Sequence, residues 1–258
     1  MEGTKMKNEF NPRANRLLAA LPEPEFSRVL TSLELTEFQL GASIYEPGQS
    51  FTNAYFPISS IISLLDLLHD GGSAEISVVG NEGIVGIALF MGGESMPSRA
   101  VVQSGGLAYR ISGTTLVKEF NRSGIFQNLL MRYTLSLLSQ IALTVVCNRH
   151  HTLEQQFCRW LLLCHDRLTG NVLKMNELLI SDMLGVNAEG AIKALGKLQH
   201  ARLISYAKGW ITILDRKGLE ARVCECYDVI RQESNRLFPT IFDNEVHPSH
   251  DMSFTPAV

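Results

Sequence analysis

The sequence predicts an α+β chain with a strand-rich N-terminal half, one long central helix and a compact C-terminal module. Short apolar runs alternate with glycine turns from about Phe38 to Ile111. Turn signals become rare between Ser112 and Arg167, and Lys174–Asp215 has the pattern of helix, glycine turn, helix and hairpin. With 258 residues, 45% of them hydrophobic, the chain is long enough to bury more than one core.

The N-terminal half is expected to be an all-β barrel or roll. Residues 1–15 are polar and are expected to form a mobile arm. A short helical segment around Pro22–Pro24 follows. Short strands separated by glycine turns are typical of a barrel or roll. The apolar runs are Tyr55–Phe56, Ile58–Leu68, Glu75–Val79, Gly86–Met91, Arg99–Gln103 and Leu107–Ile111.

The central helix is apolar on most sides between Phe126 and Val146, which indicates burial on more than one face. We expect one face to pack on the strand-rich domain and another on the same helix of a second copy. Arg132 and Gln140 interrupt the apolar stretch, which favours a core or dimer helix over a membrane span. A second helical piece, Leu153–Leu168, carries one apolar stripe made of Phe157, Trp160, Leu161 and Cys164.

Residues 176–202 have the spacing of a helix-turn-helix motif. Asn176 is a good N-cap for a first helix over Leu178–Leu184. Gly185 stands where a tight turn between helices needs a left-handed residue, and Asn187 caps a second helix. The second helix has an inward stripe of Ala191, Ala194, Leu195 and Leu198.

A hairpin follows the second helix and completes a winged helix. Leu203–Tyr206 and Trp210–Ile213 alternate like two strands, with Ala207-Lys208-Gly209 as the turn. Lys208 at the tip is well placed for a phosphate. Leu219–Leu237 is predicted to be helical. The last twenty residues, with Pro239, Pro248 and Pro256, are expected to be loose.

The net charge of −3 does not exclude nucleic acid, because the excess of acidic residues lies outside the predicted winged helix. Residues 168–222 contain eight Lys and Arg against five Asp and Glu, whereas residues 223–258 contain two against six. A weakly basic module suffices for a few phosphate contacts.

Several segments resemble the Crp/Fnr family of bacterial transcription regulators, over about residues 16–237. They are Glu46-Pro47-Gly48, Tyr55-Phe56, Gly80-x-Glu82-Gly83-x-x-Gly86, Ser98-Arg99-Ala100, Asn148-Arg149-His150, Arg159-Trp160-Leu161-Leu162, Met183-Leu184-Gly185-Val186, Trp210–Arg216, Gly218–Ala221 and Cys224-Glu225-Cys226-Tyr227.

The resemblance implies three parts: a β-roll sensor similar to a cyclic-nucleotide-binding jelly roll (16–120), a dimerisation helix and hinge (121–168), and a winged helix-turn-helix DNA-binding domain (169–237). It implies a homodimer on double-stranded DNA, with RNA polymerase and a small-molecule effector as further candidate partners. A membrane partner is not expected.

The predicted DNA-binding residues lie on the helix-turn-helix and the wing. They are Asn176, Asn187, Ala188, Glu189, Lys193, Lys197 and Lys208. Ala188 stands where the family commonly has an arginine that contacts guanine, and it offers only a methyl group. Glu189 can accept from a cytosine amino group. Ala188 therefore leaves an alternative open, a small-molecule sensor whose winged helix makes protein contacts and no longer reads DNA.

The effector-binding residues implied by the resemblance are Gly83, Gly86, Ser98, Arg99 and Ala100. Ile84 stands where cyclic AMP-binding members have a glutamate for the ribose hydroxyl, which disfavours a cyclic nucleotide and leaves the effector open. An iron–sulfur cluster is not expected, since the first 146 residues contain no cysteine. His69, His150 and His151 leave haem open.

The five cysteines, Cys147, Cys158, Cys164, Cys224 and Cys226, form no C-x-x-C pair. They indicate a reducing cytoplasm rather than a disulfide framework. If Cys224 and Cys226 lie on one helix, they face apart, so we expect buried hydrophobes and no metal site. No catalytic signature stands out, and we expect no enzyme activity.

Overall fold

The computed structural model describes residues 11–69, 72–168 and 170–237. Residues 1–10 of the predicted arm and the predicted loose tail with Pro239, Pro248 and Pro256 lie outside these ranges.

Residues 11–15 are held in place, and here the prediction of a mobile arm is wrong. Asn15 is fully buried. Its Nδ2 donates to the carbonyls of Pro57 at 2.9 Å and Gly83 at 2.8 Å, and its Oδ1 accepts from the amide of Leu17 at 3.1 Å. The local sequence gave no sign of this anchor because two of the three partners are distant in the chain.

Within the described residues, seven strands build the N-terminal roll as two antiparallel sheets. One sheet has the order β1-β7-β3 and the other β2-β6-β4-β5. The strands are β1 (Glu34–Phe38), β2 (Ser43–Tyr45), β3 (Asn53–Pro57), β4 (Ile61–Leu67), β5 (Ser73–Val79), β6 (Arg99–Ser104) and β7 (Gly106–Ser112).

The roll confirms the predicted strand-rich domain, with two differences. Gly86–Met91 is not a strand. Gly86 has φ 105°, and Ile87–Leu89 forms a short 3-10 turn behind it. Strand β1 begins at Glu34, before the expected start at Phe38. All five of its side chains are exposed or half-buried, so the apolar alternation that marks a strand is weak there.

The helices of the described residues lie before, between and after the strands. They are α1 (Arg16–Ala19), α2 (Glu23–Leu30), α3 (Gly113–Phe120), α4 (Ile125–His150), α5 (Leu153–His165), α6 (Glu177–Leu184), α7 (Ala188–His200), α8 (Arg216–Glu220) and α9 (Cys226–Leu237). A third sheet, β8 (Val172–Lys174), β9 (Ile204–Ala207) and β10 (Trp210–Ile213), has the order β8-β10-β9.

Helix α4 is the predicted central helix. By length and composition it could span a bilayer, with hydropathy 1.5 over its most apolar window. One face, however, lies in the core of the roll, where Phe126, Leu130, Tyr133 and Leu137 are buried with the strand residues. This packing is that of a core helix, as the sequence predicts.

A second core joins the roll to the C-terminal domain. Ile61 and Val78 of the roll pack in one cluster with Trp160 and Leu161 of α5 and Ile180 of α6. Helix α5 therefore lies between the roll and the winged helix. Its predicted apolar stripe is buried.

The predicted continuous helix over Leu219–Leu237 is wrong in its first third. Helix α8 ends at Glu220 and α9 begins at Cys226. The chain turns between them so that Cys224 becomes buried, with its Sγ 3.5 Å from Cys147 Sγ at the end of α4. This long-range contact cannot be predicted from helical periodicity.

Candidate DNA-binding surface and effector pocket

The two helices of the motif are fixed by local caps. Asn176 Oδ1 accepts from the amide of Leu179 at 2.9 Å, and Asn187 Oδ1 accepts from the amide of Gly190 at 2.9 Å. Gly185 adopts φ 62° between the helices, as the spacing predicts. The predicted inward stripe of α7 is buried throughout. Its opposite face is consequently turned to solvent.

The exposed face of α7 carries three of the predicted contacts. Ala188 and Glu189 lie in its first turn, and Lys193 lies one turn later, all exposed. Ala191 and Leu195 on the inner face seat the helix on the second core. This arrangement presents a small side chain, an acceptor and a cation along one helix face.

Lys197 is placed differently from Lys193. Its Nζ lies 3.8 Å from Glu154 of α5, and the same carboxylate is 2.8 Å from Arg222. Lys197 therefore has a neighbouring counter-charge, which reduces its attraction for a phosphate.

The wing has a tight two-residue turn. Ala207 pairs with Trp210, and Lys208 and Gly209 between them have φ 52° and φ 78°. Two left-handed residues in a row are the mark of a type I′ hairpin turn. The turn holds Lys208 exposed at the tip. Lys174 of β8 lies over the ring of Trp210, 5.6 Å from its centroid.

Lys193 and Lys208 are two free cations of this surface. Neither takes part in any ion pair formed among residues 11–69, 72–168 and 170–237. Two unpaired cations, one on α7 and one on the wing, can each neutralise a phosphate or contact a base edge.

Residues 155–222 match the family model described as the Crp-like helix-turn-helix domain. This segment is therefore similar to a Crp-like helix-turn-helix domain. A search of curated proteins found no match.

Solved structures of Crp/Fnr regulators have the same fold over about three quarters of this chain. FixK2 from Bradyrhizobium japonicum matches with TM-score 0.64 and 17% identity, over 74% of this chain and 98% of that chain. A CRP-family regulator from Thermus thermophilus matches with TM-score 0.60 and 17% identity, over 72% and 95%. The c-di-GMP responsive regulator CLP of Xanthomonas campestris matches with TM-score 0.57 and 16% identity, over 74% and 99%. The resemblance to the Crp/Fnr family is confirmed.

The roll has a small cavity against α4. Its volume is about 100 Å³, below the roughly 300–1,000 Å³ typical of ligand pockets. Ile84 is buried in its wall. The lining is apolar apart from the Tyr45 and Ser98 side chains: Tyr45, Leu64, Ile76, Ile84, Val85, Gly86, Ile87, Met96, Ser98, Leu137, Leu138 and Ile141. Burial raises the pKa of Tyr45 to about 12, so its phenol stays neutral.

The five predicted effector residues have different surroundings. Gly86 and Ser98 line the cavity. Gly83 instead packs against α4, where an added Cβ would lie 2.3 Å from the ring of Tyr133. Arg99 pairs with Glu46 at 3.1 Å, and Ala100 is fully buried in β6. Of the five, Gly86 and Ser98 alone line this cavity.

Sequence reasoning missed three α4 residues of the cavity wall, Leu137, Leu138 and Ile141. It also missed the ion pair that the glycine turn before Gly83 forms with the segment after α5. Glu82 in that turn pairs with Arg167 after α5 at 2.7 Å, with both side chains largely buried. Helical spacing alone does not tell which residues of α4 face the roll, and no local signal pairs Glu82 with Arg167.

Helix α4 also exposes an apolar stripe to solvent. Five exposed residues follow one another at spacings of four, three, four and three, which is the spacing of a coiled-coil seam. They are Met131, Leu135, Leu138, Ala142 and Val145.

Proposed function

We propose that this Crp/Fnr-type transcription regulator acts as a cytoplasmic homodimer that reads DNA with α7 and the wing. The observation that carries the proposal is that Lys193 and Lys208, on a Crp-like helix-turn-helix, form no ion pair among the described residues. Both helices of the motif have side-chain N-caps, and the inner stripe of α7 is buried. The fold is one of regulators rather than enzymes, and we propose no catalytic activity.

The exposed stripe of α4 supports the dimer. Leu138 is 55% exposed and Met131 57% exposed, although both are large apolar side chains. An apolar seam with heptad spacing is buried when two copies of the helix pair. Because Leu138 also lines the roll cavity, the dimer seam and the cavity share a wall.

The dimer is tested by introducing a charge into the seam. Leu138→Glu should weaken self-association by more than about tenfold, because the new carboxylate would be buried without a partner. Analytical ultracentrifugation over a concentration series measures the change. Leu214→Glu, at another exposed leucine (58%) after the wing, is the matched control. Equal dimer stability in both variants would refute the α4 interface.

The DNA function is tested with sheared genomic DNA of the source organism. Fragments enriched by the full-length protein serve as gel-shift probes. We expect affinity to fall steeply with salt because phosphate contacts release counterions. Lys193→Ala should weaken binding roughly 5- to 100-fold, whereas Lys217→Ala, on α8, should change it little. No loss in Lys193→Ala would remove that residue from the interface.

A failure to enrich any fragment would favour the alternative of a sensor whose winged helix contacts a protein. Ala188, which offers no hydrogen bond to a base, is the observation that keeps this alternative.

For the roll, we propose that the effector is not a cyclic nucleotide. The cavity is small and apolar, Ile84 closes it, and Arg99 is paired with Glu46. Isothermal titration with cyclic AMP and cyclic GMP is expected to give no binding, and binding of either nucleotide to the roll would overturn this.

A further inference from the structure

A cluster of three thiols and one imidazole lies where α4 ends and α9 begins. Cys147 belongs to the last turn of α4, and His151 caps that helix. Cys224 lies in the turn between α8 and α9, and Cys226 is the first residue of α9. The four ligand atoms all lie within 4.8 Å of one another.

From these residues we infer a zinc site in which Cys147, Cys224, Cys226 and His151 bind one Zn²⁺ ion. The inference concerns neither DNA nor the effector, and it stands or falls separately from the proposed function.

The spacing of the ligand atoms matches a zinc tetrahedron. A Zn–S bond of about 2.3 Å and a Zn–N bond of about 2.0–2.1 Å give tetrahedral edges of about 3.8 Å between sulfurs and about 3.6 Å between sulfur and nitrogen. The Sγ atoms of Cys147 and Cys224 are 3.5 Å apart. Cys226 Sγ lies 3.6 Å from His151 Nδ1. Small side-chain rotations therefore suffice to place an ion between them.

The imidazole is oriented as a metal ligand needs. His151 Nε2 lies 3.3 Å from Glu225 Oε2. A carboxylate that accepts from one ring nitrogen holds the proton there and leaves the other nitrogen free to bind metal. Here the other nitrogen is Nδ1, which faces the thiols.

The surroundings suit a closed, structural site. The three cysteines are 0–3% exposed. Three thiolates and one zinc ion leave a net charge of −1, and the buried Arg159 offers compensation. Its Nη1 donates to Thr144 of α4 at 3.1 Å, and its Nε has no hydrogen-bond partner among the described residues. Zinc would fasten α9, which follows the winged helix, to the end of α4.

The cluster corrects the expectation drawn from Cys224-Glu225-Cys226. The two cysteines would face apart on one helix, but α9 begins only at Cys226. Cys224 is therefore free to turn toward Cys147.

The first test is metal content. Full-length protein purified without added metal is expected to contain about one zinc ion per chain, as measured by inductively coupled plasma mass spectrometry. After removal of zinc, Co²⁺ should restore one ion per chain with the intense thiolate-to-cobalt absorption and visible bands of a tetrahedral site. Protein without zinc that also gives no such absorption with Co²⁺ would overturn the inference, as would a Cys147–Cys224 disulfide in freshly purified protein.

Two pairs of variants locate the site. Cys226→Ser should lose the cobalt spectrum, whereas Cys164→Ala, at a buried cysteine outside the cluster, should keep it. Circular dichroism confirms that both are folded.

Glu225→Gln tests the orienting carboxylate without touching a ligand. It should weaken zinc affinity about 10- to 100-fold in competition with a chelator. Asp228→Asn, at an exposed carboxylate in the first turn of α9, should not. Unchanged affinity in Glu225→Gln, or an equal loss in both, would count against the assigned geometry.

Discussion

At the scale of the residue, the winged helix is built from side chains whose roles are local. Asn176 and Asn187 satisfy amides three residues ahead of them, so their function as caps can be predicted from sequence. Gly83 is different, because its lack of a side chain is required by Tyr133 on α4, fifty residues later. The sequence suggested a ligand contact there, and the structure shows helix packing.

A substitution of Lys208 is expected to weaken DNA binding without lowering the stability of the fold. Lysine is uncommon at φ 52°, whereas asparagine is favoured at this position of a type I′ turn. Lys208→Asn should leave the protein as stable or slightly more stable, yet remove one phosphate contact per subunit. The slope of log affinity against log salt should become shallower by about 0.9 for each phosphate that the variant no longer neutralises.

Gel shifts at a series of salt concentrations measure the salt slope of DNA affinity. Thermal unfolding measures the stability of the variant. An unchanged salt slope would show that the wing tip does not touch the DNA backbone.

At the scale of the element, two glycines of α7 differ in the space that surrounds them. A Cβ at Gly196 would meet nothing within 4 Å, whereas one at Gly190 would lie 3.2 Å from the Cβ of Val186. Alanine in place of an interior helical glycine stabilises by roughly 0.5–1 kcal/mol where it fits.

Gly196→Ala should therefore raise the free energy of unfolding by roughly that amount, and Gly190→Ala should give no gain. Chemical denaturation measures both. A loss of stability in Gly196→Ala would mean that the space beside α7 is filled, for example by a second subunit.

At the scale of the whole molecule, the junction between the roll and α5 buries a carboxyl group. Glu75 of β5 accepts from Ser63 Oγ at 2.5 Å, and Arg159 and Arg167 face it from α5 and the turn after it. Burial raises the pKa of Glu75 to about 7, and the Ser63 hydrogen bond and the two arginines only partly offset it.

Stability should consequently fall as the pH rises. Between pH 4.5, the ordinary value for this group, and about pH 7 the folded state keeps a proton that the unfolded state has lost. The free energy of unfolding therefore decreases across this window, by at most about 3 kcal/mol.

Glu75→Gln should remove this dependence. The variant should gain stability relative to the parent between pH 5 and pH 8, as measured by urea unfolding at each pH. A difference between the two proteins that is the same at both pH values would show that Glu75 does not titrate there.

The sequence by itself determined the strand-rich half, the long helix, the capped helix-turn-helix and the wing hairpin. These features rest on periodicity, caps and turn residues, which act within a few residues of one another. It also carried the motifs that mark the Crp/Fnr family.

Only the tertiary structure decided which side chains meet across the chain. It buried Asn15, made Gly86–Met91 a turn, paired Arg99 with Glu46, and joined Glu82 to Arg167. It also brought Cys224 to Cys147, 77 residues away in sequence. The physical reason is that such contacts depend on how the roll, α4 and the winged helix pack together, and local sequence patterns contain no record of that packing.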